Sequence, residues 1–146
     1  VLVLNRIDPI GPSHDPTLMS KAYGDANDRA TALLSTRMDA RRRAESFEAL
    51  VLRRRWVDVG SGMGGVLDGL RDTARSILAV EPQPGARAQL ERAGYAAVES
   101  IEGVPDDGAD VVTLFYVFAR LPNPIKVVWL LRRKLAKDGS LFIEVP

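Results

Sequence analysis

Two acidic residues, Asp58 and Glu81, close two short apolar runs, and a turn with glycine at alternate positions lies between them. The first run reads Trp56-Val-Asp58-Val-Gly60-Ser61-Gly62-Met-Gly64-Gly65. The second, Ser76-Ile-Leu-Ala-Val80, ends on Glu81-Pro82. Glycine at such a turn lets the backbone approach a ligand where no Cβ is tolerated. The helix that follows starts with unpaired N–H groups, which suit an anionic part of that ligand. An acid at the tip of the neighbouring strand is placed to take both hydroxyls of a ribose. The chemistry expected from this spacing is the holding of a nucleotide-type cofactor.

The glycines alone fit two patterns. Gly60, Gly62 and Gly65 satisfy G-x-G-x-x-G, the dinucleotide fingerprint. With Asp58 in front, Gly60, Gly62 and Gly64 satisfy D-x-G-x-G-x-G. The acid separates them. A carboxylate two residues before the first glycine suits a ligand with a positive group such as an ammonium, and it would repel a pyrophosphate.

The elements that must carry these residues alternate along the chain. Residues 1–20, rich in Pro, Asp and Ser, read as an irregular lead-in, and their His14 is the only histidine. From about Asp25 to Leu52 the pattern is helical, with Ala30, Leu33 and Leu34 on one face and Ala44, Phe47, Leu50 and Val51 on another. Arginines are dense there and just beyond: Arg37, Arg41, Arg42, Arg43, Arg53, Arg54 and Arg55. They read either as a solvated helix face or as a basic rim for a phosphate-bearing substrate. From Trp56 the chain is expected to run strand (56–59), helix (65–75), strand (76–80), helix from Pro82 and Pro84 to Gly94, and strand (95–98). A buried strand over Asp110–Phe118, a helix after Pro122-Asn-Pro124 that stops at Gly139, and a fifth strand over 141–145 complete the order.

This alternation predicts an α/β fold, a Rossmann-like doubly wound parallel sheet with helices on both faces, preceded by a helical N-terminal segment. The chain is read as one domain of 146 residues. Within it residues 1–55 form a lead-in and helices packed on the core, and residues 56–146 form the cofactor-binding unit. A formal net charge of +1 gives no strong pull toward nucleic acid or membrane. The absence of cysteine removes disulfides, thiolate nucleophiles and Cys-based zinc sites, so no metal is expected and a reducing cytoplasm suits the chain. No apolar run reaches the roughly 18 residues of a bilayer span.

The later half carries a more specific signal. Asp110-Val-Val-Thr-Leu-Phe115-Tyr116-Val-Phe-Ala119-Arg120-Leu-Pro-Asn-Pro124 is followed by Leu135-Ala-Lys-Asp-Gly-Ser-Leu-Phe-Ile-Glu144-Val-Pro146. Together with the glycine turn, the stretch from Trp56 to Pro146 resembles the class I S-adenosylmethionine-dependent methyltransferases of the small-molecule type. The resemblance implies S-adenosylmethionine as cofactor. Asp58, Gly60, Ser61, Gly62 and Gly64 would hold its methionine end, and Glu81 with Pro82 the ribose. Ser100 and Ile101 would flank the adenine, and Phe115 and Tyr116 would line the methyl-donor side.

The resemblance also implies methyl transfer to a small-molecule acceptor. Where many relatives have an acid the chain has Ser100, and Ala119-Arg120 replaces their Glu-His pair. Glu144, the one acid near the later strand tips, is the candidate proton acceptor. A non-catalytic cofactor- or partner-binding module of the same fold is the alternative, with an NAD-dependent oxidoreductase behind it. Relatives continue past the fifth strand. The chain is therefore read as truncated, with that strand an open edge prone to self-association.

Overall fold

A computed structural model describes residues 2–6 and 29–145. Among these described residues six parallel strands form one sheet in the order β1-β6-β5-β2-β3-β4. These are β1 (Leu2–Arg6), β2 (Arg55–Val59), β3 (Ser76–Val80), β4 (Ala96–Val98), β5 (Ala109–Phe115) and β6 (Leu135–Val145). The helices are α1 (Arg29–Val51), α2 (Gly65–Leu70), α3 (Pro84–Arg92) and α4 (Pro124–Lys134).

Each face of the sheet builds its own core, as the doubly wound expectation requires. On one face Trp56 and Val111 pack with Ala44 and Val51 of α1, Leu67 and Leu70 of α2, and Leu90 of α3. On the other Val57, Val59, Val112, Leu114 and Ile143 pack with Leu131 of α4 and Ile101. Burying one such Leu contributes about 1.5–3 kcal/mol. The strand order reverses between β2 and β5, where the sequence steps from the first unit to the second. A parallel sheet collects its ligands beyond the carboxyl ends of the strands at such a reversal.

Three expectations change. The lead-in is not irregular throughout, because residues 2–6 make a strand. It lies parallel to β6 in the register Leu2↔Leu141 to Arg6↔Val145, so the edge expected to stand open is covered. Helix α2 ends at Leu70 rather than near 75, because the chain turns back and the Arg53 N–H bonds the Thr73 carbonyl at 2.8 Å. Helix α4 gives way to strand at Leu135 rather than at Gly139. The extra residues are taken up in an irregularity of the β5–β6 pairing between Ala109 and Val111. A Cβ on Gly139 would meet Leu135 Cδ2 at 2.9 Å and the Ala136 carbonyl at 3.0 Å, so this crossing tolerates only glycine without displacement. His14 lies outside the described residues.

Candidate active site

A cavity of about 550 Å³ opens at the carboxyl ends of β2, β3 and β5. Asp58, Gly60, Ser61, Gly62, Glu81, Pro82, Ser100, Ile101, Phe115 and Tyr116 all line it. Gly64 does not. Its φ of +80° makes it the residue that starts α2, and a Cβ there would lie 2.6 Å from Leu90 Cδ2. Its glycine serves the turn and the helix packing.

The turn is held by its neighbours. Gly60 has φ +78°, and its N–H bonds the Val80 carbonyl at 2.8 Å. A Cβ at Gly60 would overlap Val117 Cγ2. Ser61 Oγ donates to the Asp58 carbonyl at 2.8 Å. From the far side Arg29, the first residue of α1, donates Nε to the Met63 carbonyl at 2.8 Å and pairs with Asp68 at 2.8 Å. The start of α1 is thereby tied to the glycine turn.

Both acids are buried against this turn. Glu81 Oε2 accepts the Gly62 N–H at 2.8 Å, and Oε1 accepts the Gln83 N–H at 2.9 Å. Arg87 of α3 donates to the Glu81 carbonyl at 2.8 Å and steadies the same corner. Asp58 Oδ1 accepts the Thr113 hydroxyl at 2.6 Å, and Thr113 Oγ1 accepts the Trp56 indole N–H at 2.9 Å. Burial pushes the Asp58 carboxyl up to about 6, against the hydrogen bonds of Thr113 and Ser61 and the charge of Arg43. Ionised Asp58 is thus a buried anion short of positive partners.

The third group was expected only as part of a solvated face or a basic rim. Arg43 is buried, 8% exposed, and lines the cavity. Its guanidinium lies 4.5 Å from the Tyr116 ring centroid and 5.1 Å from that of Phe115. Nε and Nη2 donate to Glu144 at 3.1 Å, and Arg42 Nη2 reaches the same carboxylate at 2.8 Å. Arg43 Nη1 makes no hydrogen bond among the described residues. No buried side-chain polar atom there lacks a partner, so this nitrogen keeps accessible surface, and Arg43 itself lines the cavity. The signal was present in the sequence: Arg43 shares the inward face of α1 with Ala40, Ala44 and Val51. An arginine inside an apolar stripe is the anomaly that a charge-run reading passes over.

Glu144 touches both arginines. Burial pushes its carboxyl up, but the bonds and charges of Arg43 and Arg42 outweigh this and hold it below the ordinary carboxylate range. A carboxylate so held is a poor proton acceptor, which removes the physical basis for the base role expected of it. Tyr116 has φ +59°, a left-handed conformation rare for a bulky residue, and its N–H bonds the Glu144 carbonyl at 2.9 Å. Arg120 lines the cavity, whereas Ala119 does not.

A family model described as a methyltransferase domain matches residues 26–146. Among solved structures, an S-adenosylmethionine-dependent methyltransferase from Aquifex aeolicus is similar at TM-score 0.65 and 20% identity, covering 90% of this chain and 72% of that one. One from Mesorhizobium loti is similar at TM-score 0.57 and 18% identity, covering 67% and 50%. The Haemonchus contortus phosphoethanolamine N-methyltransferase 1, solved with phosphoethanolamine and S-adenosylhomocysteine, is similar at TM-score 0.65 and 18% identity, covering 88% and 30%. The chain spans only 49% and 58% of the length of two further solved proteins that it resembles. A search of curated proteins returns no match.

Proposed function

Because the chain belongs to the methyltransferase-domain family and has the class I S-adenosylmethionine-dependent fold, we propose that it binds S-adenosylmethionine in this cavity and passes the methyl group to a small-molecule acceptor. The observation that carries the reading is the pair of buried carboxylates on one cavity, Asp58 and Glu81, with Glu81 bonded directly to the glycine turn. The cavity is within the ~300–1,000 Å³ usual for small-molecule sites.

The residues fit the group. Each Glu81 oxygen accepts one backbone N–H and keeps lone-pair capacity for a ribose hydroxyl. Asp58 and Arg43 offer an anion and an open cationic donor at the same cavity, which matches the ammonium and carboxylate of an amino-acid end. An ammonium beside Asp58 supplies the positive partner that its burial withholds. Gly60, Ser61, Gly62 and Gly64 shape the turn below that end, and Pro82 follows the ribose acid. Ser100 and Ile101 take the adenine side, Phe115 and Tyr116 the methyl side. In this reading residues 56–146 carry the cofactor-binding unit and residues 1–55 close it through Arg43.

When bound, S-adenosylmethionine supplies a methyl group on a sulfonium that is already a good leaving group. The chain then has to hold donor and acceptor in line, which lowers the barrier by several kcal/mol. Glu144 is committed to two arginines, so an acceptor that needs no base suits the site best. With no cysteine, and with no helix among the described residues long and apolar enough to cross a membrane, we place this activity in the cytoplasm. A non-catalytic cofactor-binding module is the second reading, favoured by Arg120 standing at the cavity, in the pair that by the sequence resemblance takes the place of Glu-His.

Calorimetric titration with S-adenosylmethionine, S-adenosylhomocysteine and NAD tests the proposal. The first two are expected to bind in the micromolar range, about −7 to −8 kcal/mol. NAD binding without S-adenosylmethionine binding would overturn it. Transfer of labelled methyl to a panel of small amines and hydroxyl compounds then separates the enzyme from the module.

A further inference from the structure

Glu144 does more at this cavity than neutralise charge. Through its side chain it accepts from Nε and Nη2 of Arg43, one edge of a planar fork, and this sets the plane of the guanidinium and the direction of the remaining edge. The rings of Phe115 and Tyr116 lie against that guanidinium. Through its backbone carbonyl Glu144 also accepts the N–H of Tyr116 at 2.9 Å, at the point where the chain leaves β5 with φ +59°. Arg42, less buried, grips Oε1 from outside at 2.8 Å and fixes the carboxylate itself. The register that pairs Phe115 with Glu144 brings all of this to the strand ends.

We infer that Glu144 is a positioning residue, which aims the open Nη1 edge of Arg43 at the carboxylate end of the bound cofactor and fixes Tyr116 beside it. The inference rests on the cofactor reading above and goes beyond it, because Glu144 touches neither cofactor nor acceptor. A buried arginine without this partner would have no set direction. A buried pair serving only the fold would support every part of the ligand equally. The Glu144 side chain as positioner supports only the amino-acid end, because its replacement leaves the backbone carbonyl on Tyr116 in place.

The test compares two probes on the whole chain: S-adenosylhomocysteine, which has the amino-acid end, and 5′-methylthioadenosine, which lacks it. Glu144→Gln keeps the shape and removes the charge. It is expected to weaken S-adenosylhomocysteine about tenfold while leaving 5′-methylthioadenosine within about twofold. In an Arg43→Met background the same substitution should have no further effect, since its action passes through Arg43. Arg42→Ala, on the more exposed partner, keeps the question open to answer if Glu144→Gln does not fold. It should weaken S-adenosylhomocysteine about threefold and spare 5′-methylthioadenosine. Equal loss for both probes, or unchanged S-adenosylhomocysteine binding in the folded variants, overturns the inference. If Arg43→Met itself leaves S-adenosylhomocysteine unaffected, the cofactor reading of Arg43 fails instead.

Discussion

Asp58 and Glu81 stand at the carboxyl ends of adjacent strands, equally buried, and yet they are served very differently. Glu81 has two backbone N–H groups, from Gly62 and Gln83, one on each oxygen. Asp58 has the Thr113 hydroxyl on Oδ1, and burial pushes it up to about 6. On the proposed reading, Glu81 as the ribose acid is ready before any ligand arrives, while Asp58 as the ammonium acid is under-satisfied until one does. A single cavity thus has a preorganised end and an end completed by its ligand. We propose that specificity for a cationic amino-acid group follows from the second, because a neutral or anionic ligand leaves the Asp58 charge uncompensated.

The largest effect should come from breaking what the two ends share. Gly60→Ala puts a Cβ into Val117 at a φ of +78°. Overpacking of about 1–3 kcal/mol and backbone strain of similar size should lower the melting temperature by several degrees and abolish cofactor binding, read by calorimetry and thermal denaturation. Next is the preorganised end. Glu81→Ala removes charged bonds worth about 1.5–3 kcal/mol each, so both S-adenosylhomocysteine and 5′-methylthioadenosine should bind at least tenfold more weakly. An unchanged dissociation constant in a folded variant would take Glu81 out of the site.

The ligand-completed end should respond selectively. Asp58→Asn is expected to weaken S-adenosylhomocysteine about tenfold, to spare 5′-methylthioadenosine, and to leave the ligand-free protein as stable or more stable above pH 6. The sign of its pH dependence is opposite to that of a paired carboxylate. Folded Asp58 holds its proton up to about 6, above its value in the unfolded chain, so the folded state binds more protons in between. This group's contribution is at its best below the unfolded value and is lost as pH rises to about 6, by up to about 3 kcal/mol. Cofactor affinity should move the other way. S-adenosylhomocysteine is expected to bind about tenfold more weakly at pH 5 than at pH 7.5, with Asp58→Asn flat over the same range. The smallest effect on cofactor binding is expected from Thr113→Val. It takes the hydroxyl from both Asp58 Oδ1 and the Trp56 indole N–H, costs about 1–3 kcal/mol of stability, and shifts that pH midpoint upward.

The two ends also differ in how they were written in the sequence. The glycine turn, Asp58 and Glu81 were legible because strand, turn and acid are neighbours along the chain and each residue type has a local reason to be there. The completion of the Asp58 end was not. Arg43 lies fifteen residues before Asp58, in a run of arginines whose commonest fate is a solvated face, and only its place between Ala40 and Ala44 marks it as inward. Glu144 was placed correctly at a strand tip, but its pairing with Arg42 and Arg43 joins residues about a hundred positions apart. The pairing of β1 with β6 is of the same long-range kind: five residues at one end of the chain meet five near the other, and nothing local announces the register. Gly64 illustrates the converse, a motif position whose glycine answers to helix packing and not to the cavity.

The most direct test is a crystal structure of the chain with S-adenosylhomocysteine. The account predicts both ribose hydroxyls on the Glu81 carboxylate, the ammonium at Asp58 and the carboxylate at Arg43 Nη1, with the glycine turn unmoved. A ligand bound with its ribose away from Glu81, or with its amino-acid end pointing out of the cavity, would contradict it.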